Sequence, residues 1–267
     1  MSNIASLYSD EVKKNFKVLY ANWEPGGPIE LGDYGLMDGN IFIPQGKLKN
    51  DFPEFAGNVI QITPDPTKDQ KEFKSESGVE VNLLSKGSVS ESGTTLIKAS
   101  LEVKFSNKDS IFFNAADCTT TRITNKAKIG EILKQLLKDR KWQKEYCVVT
   151  DLVEAGRTII AISQSNNSGI SFEADSPTVE KINLADAGIK INITSERSIG
   201  YKVDAAEGLF ILFGLCKIKN PFLWWGGDFN PRTLLMTDSM KFKIENAHGI
   251  TTEQSLDELI FGQMGID

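Results

Sequence analysis

Residues 125–163 read NKAKIGEILKQLLKDRKWQKEYCVVTDLVEAGRTIIAIS, and this stretch decides the fold. It predicts a helix over Lys126–Lys141, followed by two apolar strands at Tyr146–Val153 and Arg157–Ser163. The apolar residues of the helix recur at intervals of three and four, which places them on one stripe: Ile129, Ile132, Leu133, Leu136 and Leu137. We therefore expect this stretch to form a core unit.

The opposite face of the same helix is basic. From Lys126 to Glu145 the chain has seven Lys/Arg against three Asp/Glu, a local net charge of +4 in a chain whose net charge is −6. One interpretation is a solvated outer face. The other is attraction to anionic lipid head groups, worth about 1 kcal/mol per basic residue near such a surface. Lys13, Lys14 and Lys17, in a helix predicted within residues 1–20, would add to this attraction if both helices lie on one side.

Composition sets the class of protein. A chain of 267 residues with 40% hydrophobic residues is long enough to bury a core. The longest apolar run, Leu209–Cys216, is far shorter than the roughly 18–20 residues of a membrane-spanning helix. The first residues have neither a basic nor an apolar signal-peptide region, so we expect a cytoplasmic protein. Overall acidity argues against nucleic-acid binding.

Most of the remaining chain predicts strands. A small hairpin turns at Asp38-Gly39, residues 57–63 form a strand, and Pro64–Ser77 is a polar connection. Apolar and polar residues then alternate in Val79–Leu83, Thr95–Phe105 and Ile189–Ile193, and further strands are predicted at Ile111–Ala115, Ile170–Glu173 and Ile199–Val203. Leu209–Lys219 is apolar on both faces, as expected of a central strand buried on both sides or of the last strand closing the core. These patterns predict an α+β fold, a twisted and mainly antiparallel sheet flanked by a few helices.

The composition changes after residue 219, so we divide the chain into a body, residues 1–219, and a C-terminal segment, residues 220–267. Residues 221–267 have seven acids and three bases, a net charge of −4. Trp224-Trp225 lies between two Asn-Pro breaks, and Met240–Glu245 is a candidate strand. Thr252–Gly262 predicts a helix whose apolar side is formed by Leu256, Leu259 and Ile260.

No motif in the sequence identifies a catalytic chemistry. The single histidine, His248, lies outside every predicted strand, and Cys118, Cys147 and Cys216 are spaced as buried free thiols. We therefore expect no catalytic residues, no metal and no cofactor, and hence no enzyme. Two alternatives stay open: a binding or scaffold module that docks a partner through Trp224-Trp225, and a hydrolase that uses only carboxylates.

The order of the segments resembles the pore-forming N-terminal domain of the gasdermins. The resemblance spans residues 78–219 and is carried by GSVSESGTT at residues 87–95, by the helix that ends in Leu136-Leu137, and by the YCVVTDLV strand at residues 146–153. RTIIAIS at residues 157–163 and the closing apolar strand Leu209–Lys219 continue it. The chain departs from lipidated bacterial members in having no cysteine before Cys118, and its first 60 residues do not match the pattern.

This resemblance implies a cytoplasmic monomer restrained by its C-terminal segment until a protease removes it. The freed body would then bind anionic membrane lipids, assemble with copies of itself into a β-barrel pore and kill the cell, as in bacterial defence. The residues expected to contact lipid are Lys13, Lys14, Lys17, Lys134, Lys138, Arg140 and Lys141. Leu256, Leu259 and Ile260 are the expected contacts of the restraining segment.

Overall fold

A computed structural model describes residues 4–23, 27–91, 94–176, 190–193, 199–205, 208–219 and 259–265. Within these ranges the chain forms antiparallel sheets and a few helices, which confirms the predicted α+β class, but the strands divide into two sheets where one was predicted. The helices are α1 (Ile4–Phe16), α2 (Leu48–Asp51) and α3 (Lys126–Lys138), with a 3-10 turn at Pro53–Phe55. The strands are β1 (Leu19–Ala21), β2 (Asp33–Asp38), β3 (Ile41–Lys47), β4 (Ile62–Lys74), β5 (Val79–Glu91), β6 (Thr94–Phe105), β7 (Ile111–Ile123), β8 (Cys147–Ala155), β9 (Arg157–Ser163), β10 (Ser168–Ser176), β11 (Lys190–Ile193), β12 (Ile199–Ala205), β13 (Leu209–Lys219) and β14 (Ile260–Gln263).

The larger sheet has the order β1-β13-β8-β7-β9-β12, with β4 on the second edge of β7. Strands β8 and β9 lie end to end along one edge of β7, since Thr119↔Glu154 in β8 and Ala116↔Arg157 in β9 belong to one ladder. The hairpin β2–β3 joins this sheet through β8. The two apolar runs of the opening stretch are therefore consecutive parts of one long central strand.

The smaller sheet has the order β11-β10-β6-β5 and packs against the larger one. Val103, Phe105 and Ile170 of the smaller sheet share a buried cluster with Phe112, Ile159 and Ala161 of the larger sheet. The alternation of Val103 and Phe105 with exposed Lys104 produces this arrangement, because alternate side chains of a strand point to opposite faces.

Each long helix buries one stripe. In α1 the buried residues Ala5, Tyr8, Ser9 and Val12 recur at helical spacing. In α3 the stripe of Ile129, Leu133 and Leu136 packs with Leu48, Phe55 and Val148. Burying such aliphatic side chains stabilises the fold by about 1.5–3 kcal/mol each. Helix α3 ends three residues earlier than predicted, because the chain leaves the helix near Arg140, which has a positive φ of 57°.

Two predicted elements are wrong. Pro64–Ser77 is not a polar connection; residues 62–74 form β4, an exposed strand whose backbone pairs with β7. Prolines and charged side chains are typical of such edge strands. The C-terminal helix is wrong over its last residues, because Ile260–Gln263 form a strand. The strand predicted over residues 57–63 begins only at Ile62, as part of β4, and the two hairpin strands are longer than predicted, at Asp33–Asp38 and Ile41–Lys47. Met240–Glu245, Trp224-Trp225 and His248 lie outside the described residues.

Among the residues described, no helix is long and apolar enough to cross a membrane.

Candidate functional site

The C-terminal strand β14 completes the edge of the larger sheet. It pairs antiparallel with β13 from Cys216↔Gln263 to Lys219↔Ile260, and the amide of Met264 donates to the carbonyl of Leu215 at 2.9 Å. The same edge of β13 is covered over its preceding residues by β1. An unpaired strand edge is a template for pairing with another chain, so β14 closes a surface that would otherwise be open.

Beside this strand, β14 packs on helix α3. Leu259 is only 5% exposed and belongs to the cluster of Ile129, Leu133 and Leu136. Gly130 faces Phe261, and a Cβ added at Gly130 would lie 2.5 Å from the Phe261 Cβ. Glycine inside a helix costs about 1 kcal/mol relative to alanine, so its presence here is explained by the close approach of β14. The missing side chain at Gly130 therefore leaves room on helix α3 for the C-terminal strand.

The far end of β14 reaches helix α1. A Cβ added at Gly265 would collide with the Lys13 Nζ and with the Lys17 carbonyl oxygen, and Gly265 has a φ of 86°, which favours glycine. The Lys13 Nζ also lies 3.7 Å from the centroid of the Tyr20 ring, a cation–π geometry. The short segment 259–265 therefore contacts α3 as well as Lys13 and Lys17 at the end of α1, and we call it the C-terminal clasp.

Helix α3 is held to the sheet by a buried carboxylate. Asp151 of β8 accepts hydrogen bonds from the Lys126 Nζ and from the Thr150 Oγ1, each at 2.7 Å, and its second oxygen lies 3.5 Å from the Arg122 Nε. The Asp151 side chain is 8% exposed. Lys126 is the first residue of α3, so this ion pair fixes where the helix begins on the sheet.

The predicted lipid contacts fall into two groups. Lys138, Arg140 and Lys141 are exposed, and Lys134 is half-buried, at the C-terminal end of α3 and just beyond it. Lys14 and Lys17 are exposed on or next to α1, whereas Lys13 is half-buried. The two helices belong to different core clusters, and the clasp contacts both. Their contact with lipid stays a prediction.

Acidic neighbours partly compensate these cations. Lys14 forms a salt bridge with Glu76 at 2.9 Å, and the pKa of Lys14 is raised, first by its hydrogen bond to Glu76 and then by the charge of Glu11. The Lys141 Nζ lies 4.0 Å from a Glu54 oxygen. These are exposed pairs, so they leave the cations available to a stronger anionic surface.

Of the predicted tail contacts, Leu259 is buried and Ile260 is half-buried, while Leu256 lies outside the described residues. Phe261, Met264 and the receiving Gly130 were missed by sequence reasoning. The signal that was available for Gly130 is its position inside an otherwise regular helical pattern, where an isolated glycine often marks close packing.

The described residues provide no group of three or more His, Cys, Asp or Glu that would hold a metal ion. Cys118, Cys147 and Cys216 are buried free thiols. Burial raises the pKa of Cys118 to about 11 and that of Cys147 to about 12, and it also raises the pKa of Cys216. Protonated, buried thiols of this kind are unreactive.

No protein-family model matches the chain, and no curated protein sequence matches it. The chain is similar to the structure of a bacterial gasdermin from Bradyrhizobium tropiciagri, with 16% sequence identity, over 80% of this chain and 86% of that chain. The TM-score of this match is 0.34.

Proposed function

We propose that this chain is a pore-forming protein restrained by its C-terminal clasp and activated by proteolysis. In this proposal residues 1–219 are the pore-forming body and residues 220–267 the restraining segment. A protease cuts between them, the body binds anionic membrane lipids, and copies of it assemble into a β-barrel pore that kills the cell. The restrained form is a cytoplasmic monomer.

The observation that supports the proposal is the packing of the clasp against β13 and helix α3. Residues 220–258 separate β13 from the clasp, so a cut in that range leaves residues 259–265 held only by non-covalent contacts. Those contacts include four ladder pairs with β13, the buried Leu259, the packing of Phe261 on Gly130 and the approach of Gly265 to Lys13 and Lys17. A short strand of this size is easily lost once it is no longer tethered, because the tether supplies a high effective concentration.

Loss of the clasp would change the surface in two ways that favour membrane assembly. It would open the edge of β13 at Cys216–Lys219, where a strand of another copy can pair. It would also uncover apolar surface at Gly130 and Leu136 beside the exposed cations at the end of α3. Apolar surface next to positive charge is what an anionic membrane attracts.

Dye-loaded vesicles test this proposal. A site for a sequence-specific protease is introduced between Ala247 and Glu258 of the full chain, which is then cut in the presence of vesicles with or without anionic lipid. We expect dye release only after cutting and only from anionic vesicles. Vesicles that stay sealed after complete cleavage would refute the pore-forming function.

Charge variants distinguish lipid binding by these particular cations from a general effect of the net charge of the protein. Replacing the four cations at the end of α3 by glutamine, Lys134, Lys138, Arg140 and Lys141, is expected to reduce dye release about tenfold or more, since each contributes about 1 kcal/mol of attraction. The control replaces Lys68 and Lys74 of the exposed strand β4 and is compared with a double replacement of Lys138 and Lys141, so that both sets remove two charges. Equal effects in the two sets would show that only the net charge matters.

A further inference from the structure

Four aromatic rings meet at the C-terminal end of helix α3. Tyr34 of β2 and Trp142 form a buried pair whose ring centroids lie 5.2 Å apart. The Phe52 ring lies 5.4 Å from the Tyr34 ring and 5.6 Å from the Trp142 ring. The Tyr146 ring lies 5.3 Å from Tyr34 and 5.2 Å from Trp142. Phe52 and Tyr146 are only half-buried, so these two rings are the accessible part of the cluster, which we call the aromatic box.

The turn that ends α3 places Trp142 in the box. Arg140 has a positive φ of 57°, and the amides of Lys141 and Trp142 both donate to the Leu136 carbonyl, at 2.9 and 3.2 Å. Such a turn satisfies a carbonyl that would otherwise be unpaired at the end of the helix. Two of the cations predicted to contact lipid, Arg140 and Lys141, therefore immediately precede a residue of the box.

The indole nitrogen of Trp142 is buried without a hydrogen-bond partner. The residue is 3% exposed, and its Nε1 is inaccessible to solvent. Buried tryptophan N–H groups usually have an acceptor, and a buried donor without one costs free energy. An acceptor atom supplied by a bound molecule would remove this cost.

A carboxylate lies beside the rings. The Tyr34 hydroxyl donates to Asp51, and burial, followed by this hydrogen bond, raises the pKa of Tyr34 to about 12. The exposed Asp51 also accepts a hydrogen bond from the Lys47 amide at 2.9 Å. Gly46 leaves room for the pair, because a Cβ there would collide with the Asp51 carboxylate and lie 2.8 Å from the Tyr34 hydroxyl oxygen. The carboxylate is thus fixed next to the box.

The groups around the box suit a ligand with both a positive and a negative charge. Ring faces attract cations, and they suit a quaternary ammonium group, which has no N–H to donate. Asp51 adds a negative charge beside these faces. On the other side, the Lys141 Nζ lies 4.0 Å from a Glu54 oxygen, an exposed pair that leaves the ammonium group available to an anion.

We propose that the aromatic box binds the phosphocholine head group of a lipid. The trimethylammonium group lies on the half-exposed rings of Phe52 and Tyr146 beside Asp51, and the phosphate accepts from the Trp142 Nε1 and pairs with Lys141. A lipid is the source because Lys138, Arg140 and Lys141, the predicted lipid contacts, adjoin the box. This inference goes beyond the proposed function, since the box is complete in the uncut chain and its ligand is a neutral zwitterion.

Calorimetric titration of the uncut full chain tests the inference. Dihexanoylphosphatidylcholine, below its micellar concentration, is compared with the ethanolamine and glycerol lipids of the same acyl length. We expect saturable binding of the choline lipid, about fivefold weaker binding of the ethanolamine lipid and none of the glycerol lipid, because only the first carries a quaternary ammonium group. Absence of choline-lipid binding, or equal affinity for all three lipids, would overturn the inference.

Variants show whether the box is the site. Asp51→Asn and Tyr146→Leu are each expected to weaken choline-lipid binding about fivefold. Trp142→Phe keeps an aromatic ring and removes the N–H, and is expected to weaken binding about tenfold, because a hydrogen bond to a charged oxygen is lost. Phe16→Leu, at a half-buried ring of α1, is the matched control and should bind within about twofold of the unmodified chain. Circular dichroism verifies that each variant is folded, and wild-type affinity of folded Asp51→Asn and Trp142→Phe would overturn the inference.

Vesicles distinguish a lipid from other sources of the same chemistry. The uncut chain is sedimented with vesicles of fixed phosphatidylglycerol content, in which the remaining lipid is phosphatidylcholine or phosphatidylethanolamine. We expect about fivefold tighter binding to the choline vesicles. Equal binding to both, or tighter binding of a trimethyl-lysine peptide than of the choline lipid, would overturn the assignment to a lipid. Because every measurement uses the uncut chain, vesicles that stay sealed after cleavage would refute the pore-forming function and leave these results unchanged.

Discussion

At the scale of single residues, Asp151 connects two elements of the predicted core unit, helix α3 and strand β8. Its carboxylate joins the first residue of α3 to the middle of β8 through the Lys126 Nζ at 2.7 Å, and Thr150 donates to the same oxygen. Gly214, the ladder partner of Asp151 on β13, leaves room for this group, because a Cβ there would lie 2.9 Å from the Asp151 Oδ2. A buried carboxylate of this kind is stable only while its cation stays in place.

Asp151→Asn is expected to lower the free energy of unfolding by about 1.5–3 kcal/mol, because hydrogen bonds to a charged group are lost and Lys126 keeps an uncompensated charge. Equilibrium denaturation measures the change. Asp117→Asn is the matched control, since the Asp117 carboxylate is 51% exposed and 3.9 Å from Lys68, and it should change stability by no more than about 0.5 kcal/mol. Equal losses of unfolding free energy in the two variants would show that the Asp151–Lys126 ion pair does not hold helix α3 to the sheet.

At the scale of elements, helix α3 contributes to the core and also forms the surface on which the clasp packs. Its leucine stripe serves the first role, and Gly130 serves the second. Gly130→Ala improves the intrinsic helix propensity by about 1 kcal/mol, yet the added methyl group meets the backbone-proximal Cβ of Phe261. Because that atom cannot rotate away, β14 has to move.

We therefore expect Gly130→Ala to loosen the clasp while leaving the body folded. Amide hydrogen exchange of Cys216–Lys219 and of Ile260–Gln263 should accelerate about tenfold, whereas exchange in β8 should not change. Lys128→Ala, at an exposed position of the same helix, is the control. Unchanged exchange at the β13 edge in the Gly130 variant would show that the clasp does not depend on this fit.

Local patterns were enough to predict α3 and most strands, because these elements show either the period of one buried face or, in β8 and β13, an apolar run that is buried on both faces. The strand β4 was not predictable in this way, since its 13 residues are mostly exposed and Phe73 is the one side chain that it buries. The clasp was assigned to a helix because Leu256, Leu259 and Ile260 have helical spacing, whereas its pairing partner, Cys216–Lys219, is remote in sequence.

The candidate site was predictable to a similar extent. The cations at the end of α3 are evident from local charge, but their relation to Lys13 and Lys17 depends on the clasp, a contact that no local pattern encodes. Alternation in Thr95–Phe105 predicts a two-faced strand and does not say which sheet covers the apolar face. Such information comes from the packing of distant segments.

At the scale of the whole molecule, the body and the clasp are connected in sequence only through residues 220–258. If restraint resides in residues 259–265, the covalent connection matters only for local concentration, and a separate clasp should restrain a cut body at sufficient concentration. Restraint of the cut body by a separate clasp can therefore be used to distinguish a clasp that occupies a strand edge from a segment that acts through its negative charge.

A synthetic peptide of residues 256–267, added to the cut chain before vesicles are introduced, is therefore expected to suppress dye release in a concentration-dependent manner. The same peptide with Phe261→Ala keeps its charge and should need about tenfold more peptide for equal suppression, because half-burial of a phenylalanine contributes about 1.5 kcal/mol. Equal potency of the two peptides would assign the restraint to charge. Failure of both, with an intact chain that stays restrained, would place the restraint within residues 220–258 instead.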